Sequence, residues 1–218
     1  MTTDIFDFWG QISPSQKIHP ADKPVFDRLR TDGHSFNLNT LPGSFSGPLK
    51  TAKIVLLYMS PGLSPYDEEI ANTKEGQKLA ARHRTGQEPL RKSDTPGSQW
   101  WQLRTKCFGI DQSIIAHNTA VLNIGAYHSK SMEDPELLAA LPSCRIALNW
   151  AQTVLFPEAI SGDRIVICLR AAKFWGLRQG NKYGRALYAP NVTRGGHMIS
   201  NKLREDIISS VRKKLRTM

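Results

Sequence analysis

Apolar and polar positions alternate between two regimes along the chain. Short, dense apolar runs end in Gly, Pro or Asn, and longer stretches between them carry charge with apolar points at helical spacing. The densest run is Lys53-Ile-Val-Leu-Leu-Tyr-Met-Ser60-Pro61-Gly62. From Ile54 to Met59 it has no polar alternation, which predicts a strand over 53–59 buried on both faces. Pro61 and Gly62 then force a turn. Further strands are predicted at Ala120 to Ile124, Arg164 to Leu169 and Ala186 to Tyr188.

Helices are predicted between them. Asp4 to Trp9 and Pro24 to Arg30 read as short helices, and Pro65 to Arg84 is charged and helix-permissive. Gln99 to Phe108 places Trp101 and Phe108 inward. Leu137 to Phe156 is helical, broken by Pro142 and ended before Pro157. Ala171 to Trp175 adds a short helix. In Asn201 to Leu215 the apolar residues Leu203, Ile207, Ile208, Val211 and Leu215 recur at helical spacing. The basic residues on its other face read as a solvated face suited to the helix dipole. Leu41 to Pro48 and residues 85–98 are loops by their Gly, Pro and polar content. Strands alternating with helices predict one α/β domain over 1–218, with a mainly parallel sheet and helices on both faces. Residues 1–50 form an N-terminal lead-in and about 51–215 the core.

Charge narrows the partners. The 218 residues hold 29 Lys plus Arg against 19 Asp plus Glu, a formal net charge of +10. That excess suits a polyanion such as DNA or RNA. Three scattered cysteines make neither a disulfide framework nor a metal signature and fit a reducing, cytoplasmic setting. The first residues do not read as a signal peptide, and no apolar run approaches the roughly 18 residues of a membrane span. No P-loop is present.

The polar residues that could carry chemistry gather where the predicted strands end, the usual place for ligands in open α/β sheets. They are Ser60-Pro61-Gly62 with Tyr66, Asp67 and Glu68; Asn123 with Tyr127-His128-Ser129; Lys173 to Trp175; and Ala189-Pro190-Asn191 with Arg194-Gly195-Gly196-His197. In this order and spacing they resemble the uracil-DNA glycosylase superfamily over roughly residues 40–215. There the first loop reads Gly-Gln-Asp-Pro-Tyr-His or Gly-Ile-Asn-Pro-Gly, the second strand ends in a base-reading Asn, and the last loop carries a His-Pro-Ser-like motif.

The resemblance implies a monomeric DNA-repair-like glycosylase that needs no cofactor or metal and meets its base in single- or double-stranded DNA or as a nucleotide. Ser60, with Asp67 in reserve, would position water. Asn123 would read the base edge beside Pro61 and Gly62, and Tyr66 or Tyr127 would stack on the base, with Trp175 as a further aromatic candidate. His128 or His197 would stabilise the leaving base, and Lys173, Asn191 and Arg194 would hold phosphates. The chain departs from the pattern where chemistry matters. Ser60 stands at the acidic position, and the register Gly62-Leu-Ser64-Pro65-Tyr66-Asp67 again has Ser there. Tyr58 stands where the family has Gly. Aligning the last loop by Pro puts Ala189 at the catalytic His, and aligning by His leaves His197 without its Pro. The competing expectations are a binding module on the same fold and an enzyme for a free nucleoside or small glycoside. Trp100 and Trp101 read as core and rim.

Overall fold

A continuous apolar run is stable as a strand only when both of its faces are covered. The computed structural model, which describes residues 4–28, 35–91, 93–132 and 137–216, shows how this is done. The strands are β1 (Phe45–Ser46), β2 (Ile54–Tyr58), β3 (Thr119–Asn123), β4 (Ile165–Cys168), β5 (Asn181–Tyr183) and β6 (Leu187–Ala189). They form one sheet in the order β1-β3-β2-β4-β6-β5. The pairs β2–β3, β2–β4 and β4–β6 are parallel. The short strands β1 and β5 add antiparallel edges.

Side chains alternate through this sheet with period two. Val55, Leu57, Leu122 and Val166 enter one core, while Ile54, Leu56, Tyr58, Val121 and Ile167 enter the other. In chain order the α-helices are α1 (Ile5–Gly10), α2 (Lys23–Arg28), α3 (Pro65–Ala71), α4 (Lys74–Arg84) and α5 (Pro96–Thr105). They continue with α6 (Gln112–Asn118), α7 (Leu137–Ala140), α8 (Pro142–Trp150), α9 (Phe156–Ser161) and α10 (Lys202–Arg216). Buried residues of α1, α2, α7, α8 and α9 line the first core, and those of α5, α6 and α10 line the second. The fold is α/β, with helices on both faces of a mainly parallel sheet. No helix among the described residues is long and apolar enough to cross a membrane.

The four predicted strands are present within a residue or two. The differences have local causes. The helical stretch 65–84 is two helices, because Thr73 accepts the Gly76 N–H and starts α4 afresh. Pro96 opens α5 inside the predicted loop 85–98, at the first-turn position where its missing N–H costs nothing. The segment after Trp150 runs on past Pro157. A π turn over Ala151–Leu155, in which the Phe156 N–H reaches back to the Ala151 carbonyl, admits the proline at the start of α9. The pattern did not predict α6, β1 or β5. The predicted helix Pro24 to Arg30 is seen as α2 to Arg28, and its end lies outside the described residues.

The first core contains a buried polar network. Asp22 is fully buried; its Oδ2 accepts from the Tyr127 hydroxyl at 2.6 Å and its Oδ1 from the Ser143 N–H at 2.9 Å. The Tyr127 oxygen in turn accepts the His19 N–H at 3.2 Å. His19 stacks on Phe8 and donates from Nε2 to the Phe8 carbonyl.

Two outcomes follow. Tyr127→Phe leaves a buried Asp22 oxygen without its donor and lowers unfolding free energy by about 1–3 kcal/mol, read from denaturant titration. Burial holds the His83 imidazole down at about 4, and burial likewise holds His19 below its ordinary value. The unfolded chain therefore takes up these protons first. Stability is complete above about pH 6.5 and falls as pH drops toward 4, by at most about 1.4 kcal/mol per pH unit per histidine. His83→Gln flattens that slope in denaturation series run between pH 7.5 and pH 4.

Candidate functional site

The order of the parallel strands locates a crevice. From β2 the chain goes to β3 on one side and later crosses back to β4 on the other. Loops leaving the carboxyl ends of these strands diverge there, which opens a cleft at the switch point. A cavity of about 530 Å³ occupies it. The loop after β2, the end of β3, residues 128–132, α5 and Arg170 form its walls.

Backbone hydrogen bonds hold the first two walls together. The Ile124 and Gly125 N–H groups donate to the Tyr58 and Met59 carbonyls at 3.2 and 2.7 Å, and the Ser129 N–H donates to the Pro61 carbonyl at 3.1 Å. The His128 Nδ1–H donates to the Gly62 carbonyl at 2.7 Å. Because a carbonyl can only accept, this bond fixes the tautomer and leaves Nε2 as the free position. On the far side, Gly43 donates to the Ala126 carbonyl and Asn123 to the Ser44 carbonyl, both at 2.7 Å.

Asn123 is buried at the end of β3 and lines the cavity. Its Nδ2 donates to the Gly43 carbonyl at 3.0 Å, which orients the amide. One Nδ2 hydrogen and Oδ1 have no hydrogen-bond partner among the described residues. That pair can meet a donor–acceptor edge of the kind a nucleobase presents. Ser60 Oγ lies 3.1 Å from Ser129 Oγ, so the two hydroxyls form a pair with lone pairs to spare. Asp67 reaches the cavity, but its Oδ2 accepts from both the N–H and the hydroxyl of Ser64, at 2.7 and 2.6 Å. It closes a capping box at the start of α3, with His128 Nδ1 3.8 Å away.

Six of the anticipated residues thus meet in one cavity: Ser60, Pro61, Gly62, Asp67, Asn123 and His128. The others lie elsewhere. Tyr127 is in the core, its hydroxyl bound to Asp22, so it does not stack on a ligand in this cavity. Trp175 is likewise buried. Tyr66 is 38% exposed on α3 and faces solvent outside the cavity. His197 is exposed on a loop whose Gly195, rather than the histidine, reaches the cavity wall. Lys173 is exposed over the Phe174 ring, and Asn191 is exposed beside Gly180. Arg194 lines a second, smaller cavity of about 290 Å³.

Sequence reasoning missed a cationic and aromatic wall. Trp100 lines the cavity rather than only its rim and meets the Tyr58 ring edge-on at 4.5 Å. The Arg104 guanidinium lies over the Trp100 ring at 5.3 Å. Its Nη2 donates to the Gly195 carbonyl at 2.6 Å. The i, i+4 spacing of Trp100 and Arg104 on one helix was the available signal. Arg170 and Lys130 add further positive charge, and Asp67 supplies the carboxylate on the cavity wall. The cavity therefore favours a ligand that is polar at its Asn123 end and negative at its arginine end.

Comparison of the chain with protein-family models, curated proteins and solved structures found no match.

Asp67→Ala removes both bonds from Ser64 and costs about 0.5–2 kcal/mol of stability, measured by thermal or denaturant unfolding. A cap explains that loss without any role for the carboxylate in chemistry.

Proposed function

We propose that the chain is a uracil-DNA glycosylase-like hydrolase that cleaves the N-glycosidic bond of uracil or another damaged base held in DNA. The observation that carries this reading is the Asn123 amide. It is oriented by Gly43, buried at the end of β3, and presents an unpaired acceptor and donor to a cavity that also holds Ser60 and His128. The sheet supports it too: the parallel strands bring these residues together at one switch point, in the chain order the resemblance implies.

On this reading a base leaves the stack and enters the cavity. Asn123 pairs with its edge, and Trp100 offers an aromatic face. The Ser60–Ser129 hydroxyl pair holds the water that adds to the sugar carbon. His128 Nε2, kept free by the Gly62 bond, takes up the proton that water releases. As the carbon–nitrogen bond breaks, its electron pair leaves with the base, and the free Asn123 Nδ2 hydrogen donates to the base edge on which that negative charge develops. Tyr66, Tyr127 and His197 have no part in this scheme, and Asp67 serves α3. Lys173, Asn191 and Arg194 are exposed and remain available to the nucleic-acid backbone.

A second reading is a nucleic-acid-binding module on the same scaffold. It is favoured by the engagement of Asp67 with Ser64, which leaves no uncommitted carboxylate among the described residues of the cavity.

One assay separates the two. Single- and double-stranded oligonucleotides carrying uracil, hypoxanthine or a mismatched base are incubated with the protein and tested for abasic sites. The enzyme gives abasic product, and Asn123→Ala lowers kcat/KM by about 10- to 100-fold, the worth of a paired base contact. Salt-sensitive binding without abasic product establishes the module instead. Base release from free nucleosides with no oligonucleotide turnover assigns a nucleoside substrate.

A further inference from the structure

The arginine end of the cavity contains donors without acceptors. Tyr58 closes β2 and is 6% exposed; its hydroxyl oxygen lies against the Arg104 guanidinium, which can only donate, so the phenol O–H is left without an acceptor. Arg104 Nε is also buried and unpartnered. The rest of the Arg104 guanidinium is held in place by the Gly195 carbonyl and by the face of Trp100. Arg170 follows β4, where its backbone N–H is tied to the Leu57 carbonyl at 3.3 Å, and its Nη1 donates to the Arg194 carbonyl. No carboxylate pairs with Arg104 or Arg170 among the described residues. Buried donors in folded proteins are almost always paired. Unpaired donors also occur in the core, at Trp9 and Trp175, but Tyr58 and Arg104 line the cavity beside a second guanidinium, where a ligand can supply the acceptor.

We infer that Tyr58, Arg104 and Arg170 form a phosphate-binding site at the arginine end of the cavity. Phosphate oxygens accept from the Tyr58 hydroxyl and from both guanidinium groups, in the charge-assisted geometry that arginine favours. Burial pushes the Tyr58 phenol well above its ordinary value, with Arg104 and Arg170 pulling the other way, so the hydroxyl keeps its proton as a donor. Two positive charges match one phosphate ester. Arg170 lines both the larger cavity and the 290 Å³ cavity next to it, so a phosphodiester there has room for chain on either side. This deepens the glycosylase reading and rests on it only for what is attached to the phosphate. It also gives Tyr58 a purpose at the position where the resembling family has Gly.

The test is calorimetric titration at low salt with inorganic phosphate, 2′-deoxyuridine, 2′-deoxyuridine 5′-monophosphate and an undamaged single-stranded oligonucleotide. Tyr58→Phe keeps the ring and its packing on Trp100, and Arg170→Gln alters an exposed side chain, so both variants fold; circular dichroism checks this. The wild type binds phosphate and the monophosphate, and each variant weakens both by about tenfold or more. The affinity for 2′-deoxyuridine does not change in Tyr58→Phe. Monophosphate binding as tight as the oligonucleotide identifies a free nucleotide as the source, and tighter, steeply salt-dependent oligonucleotide binding identifies a strand. The site is overturned if the wild type binds no phosphate, or if Tyr58→Phe binds phosphate as the wild type does. It is also overturned if that variant loses nucleoside and monophosphate equally. Phosphate binding without abasic product in the oligonucleotide assay sinks the glycosylase reading alone, and abasic product with no phosphate binding sinks this site alone.

Discussion

The β2–β3 hydrogen-bond ladder does not stop where the strands stop, and the site depends on that. Tyr58, Met59, Pro61 and Gly62 offer carbonyls that Ile124, Gly125, Ser129 and the His128 ring take up. Buried backbone groups must find partners, and these two loops satisfy each other. Ser60 is thereby set against Ser129, and His128 is turned with Nε2 free. The segment 37–44 closes the other side through Gly43, Ser44 and Asn37, so the loop 124–128 is held along both edges. A cavity wall made of loops is thereby hydrogen-bonded as a sheet is.

Hydrogen-bond accounting, taken together with which side chains line the cavity, separates polar residues that build the protein from those that face a ligand's space. Asp22 and Tyr127 satisfy each other in the core, and Asp67 and Ser64 do so at the start of α3. These groups stabilise the fold because each donor has its acceptor. Asn123, Tyr58 and Arg104 share the same buried or half-buried setting yet keep atoms without partners. The contrast is clearest between two tyrosines. Tyr127 looked like a base-stacking residue and is a core residue with a bound hydroxyl. Tyr58 stands where the resembling family has Gly, and its O–H is without an acceptor beside two arginines.

The same contrast runs through the elements. Apolar runs such as Ile54–Tyr58 and Ile165–Cys168 were legible because a strand covered on both faces admits almost nothing polar. Helix α10 was legible from its periodic apolar face. Helix α6 carries a weak apolar face in seven residues, and β1 and β5 are two- and three-residue edges whose pairing is supplied by β3 and β6. Pro157 looked like a terminator because a proline removes a donor. The π turn before it removes the clash, and packing against the first core keeps the helix going.

The amino-acid sequence by itself determined the α/β class, the four buried strands and the loops in which polar residues gather, since these follow from local pattern and the demands of burial. Tertiary structure decided which of those residues share a cavity. Residues 58–62, 123–129, 100–104 and 170 are distant in the chain and meet only because β2 lies between β3 and β4 with α5 packed over one face. It also decided which side chains were already satisfied. Hydrogen-bond partnership between residues as far apart as Asp22 and Tyr127 depends on packing, and no local pattern encodes it.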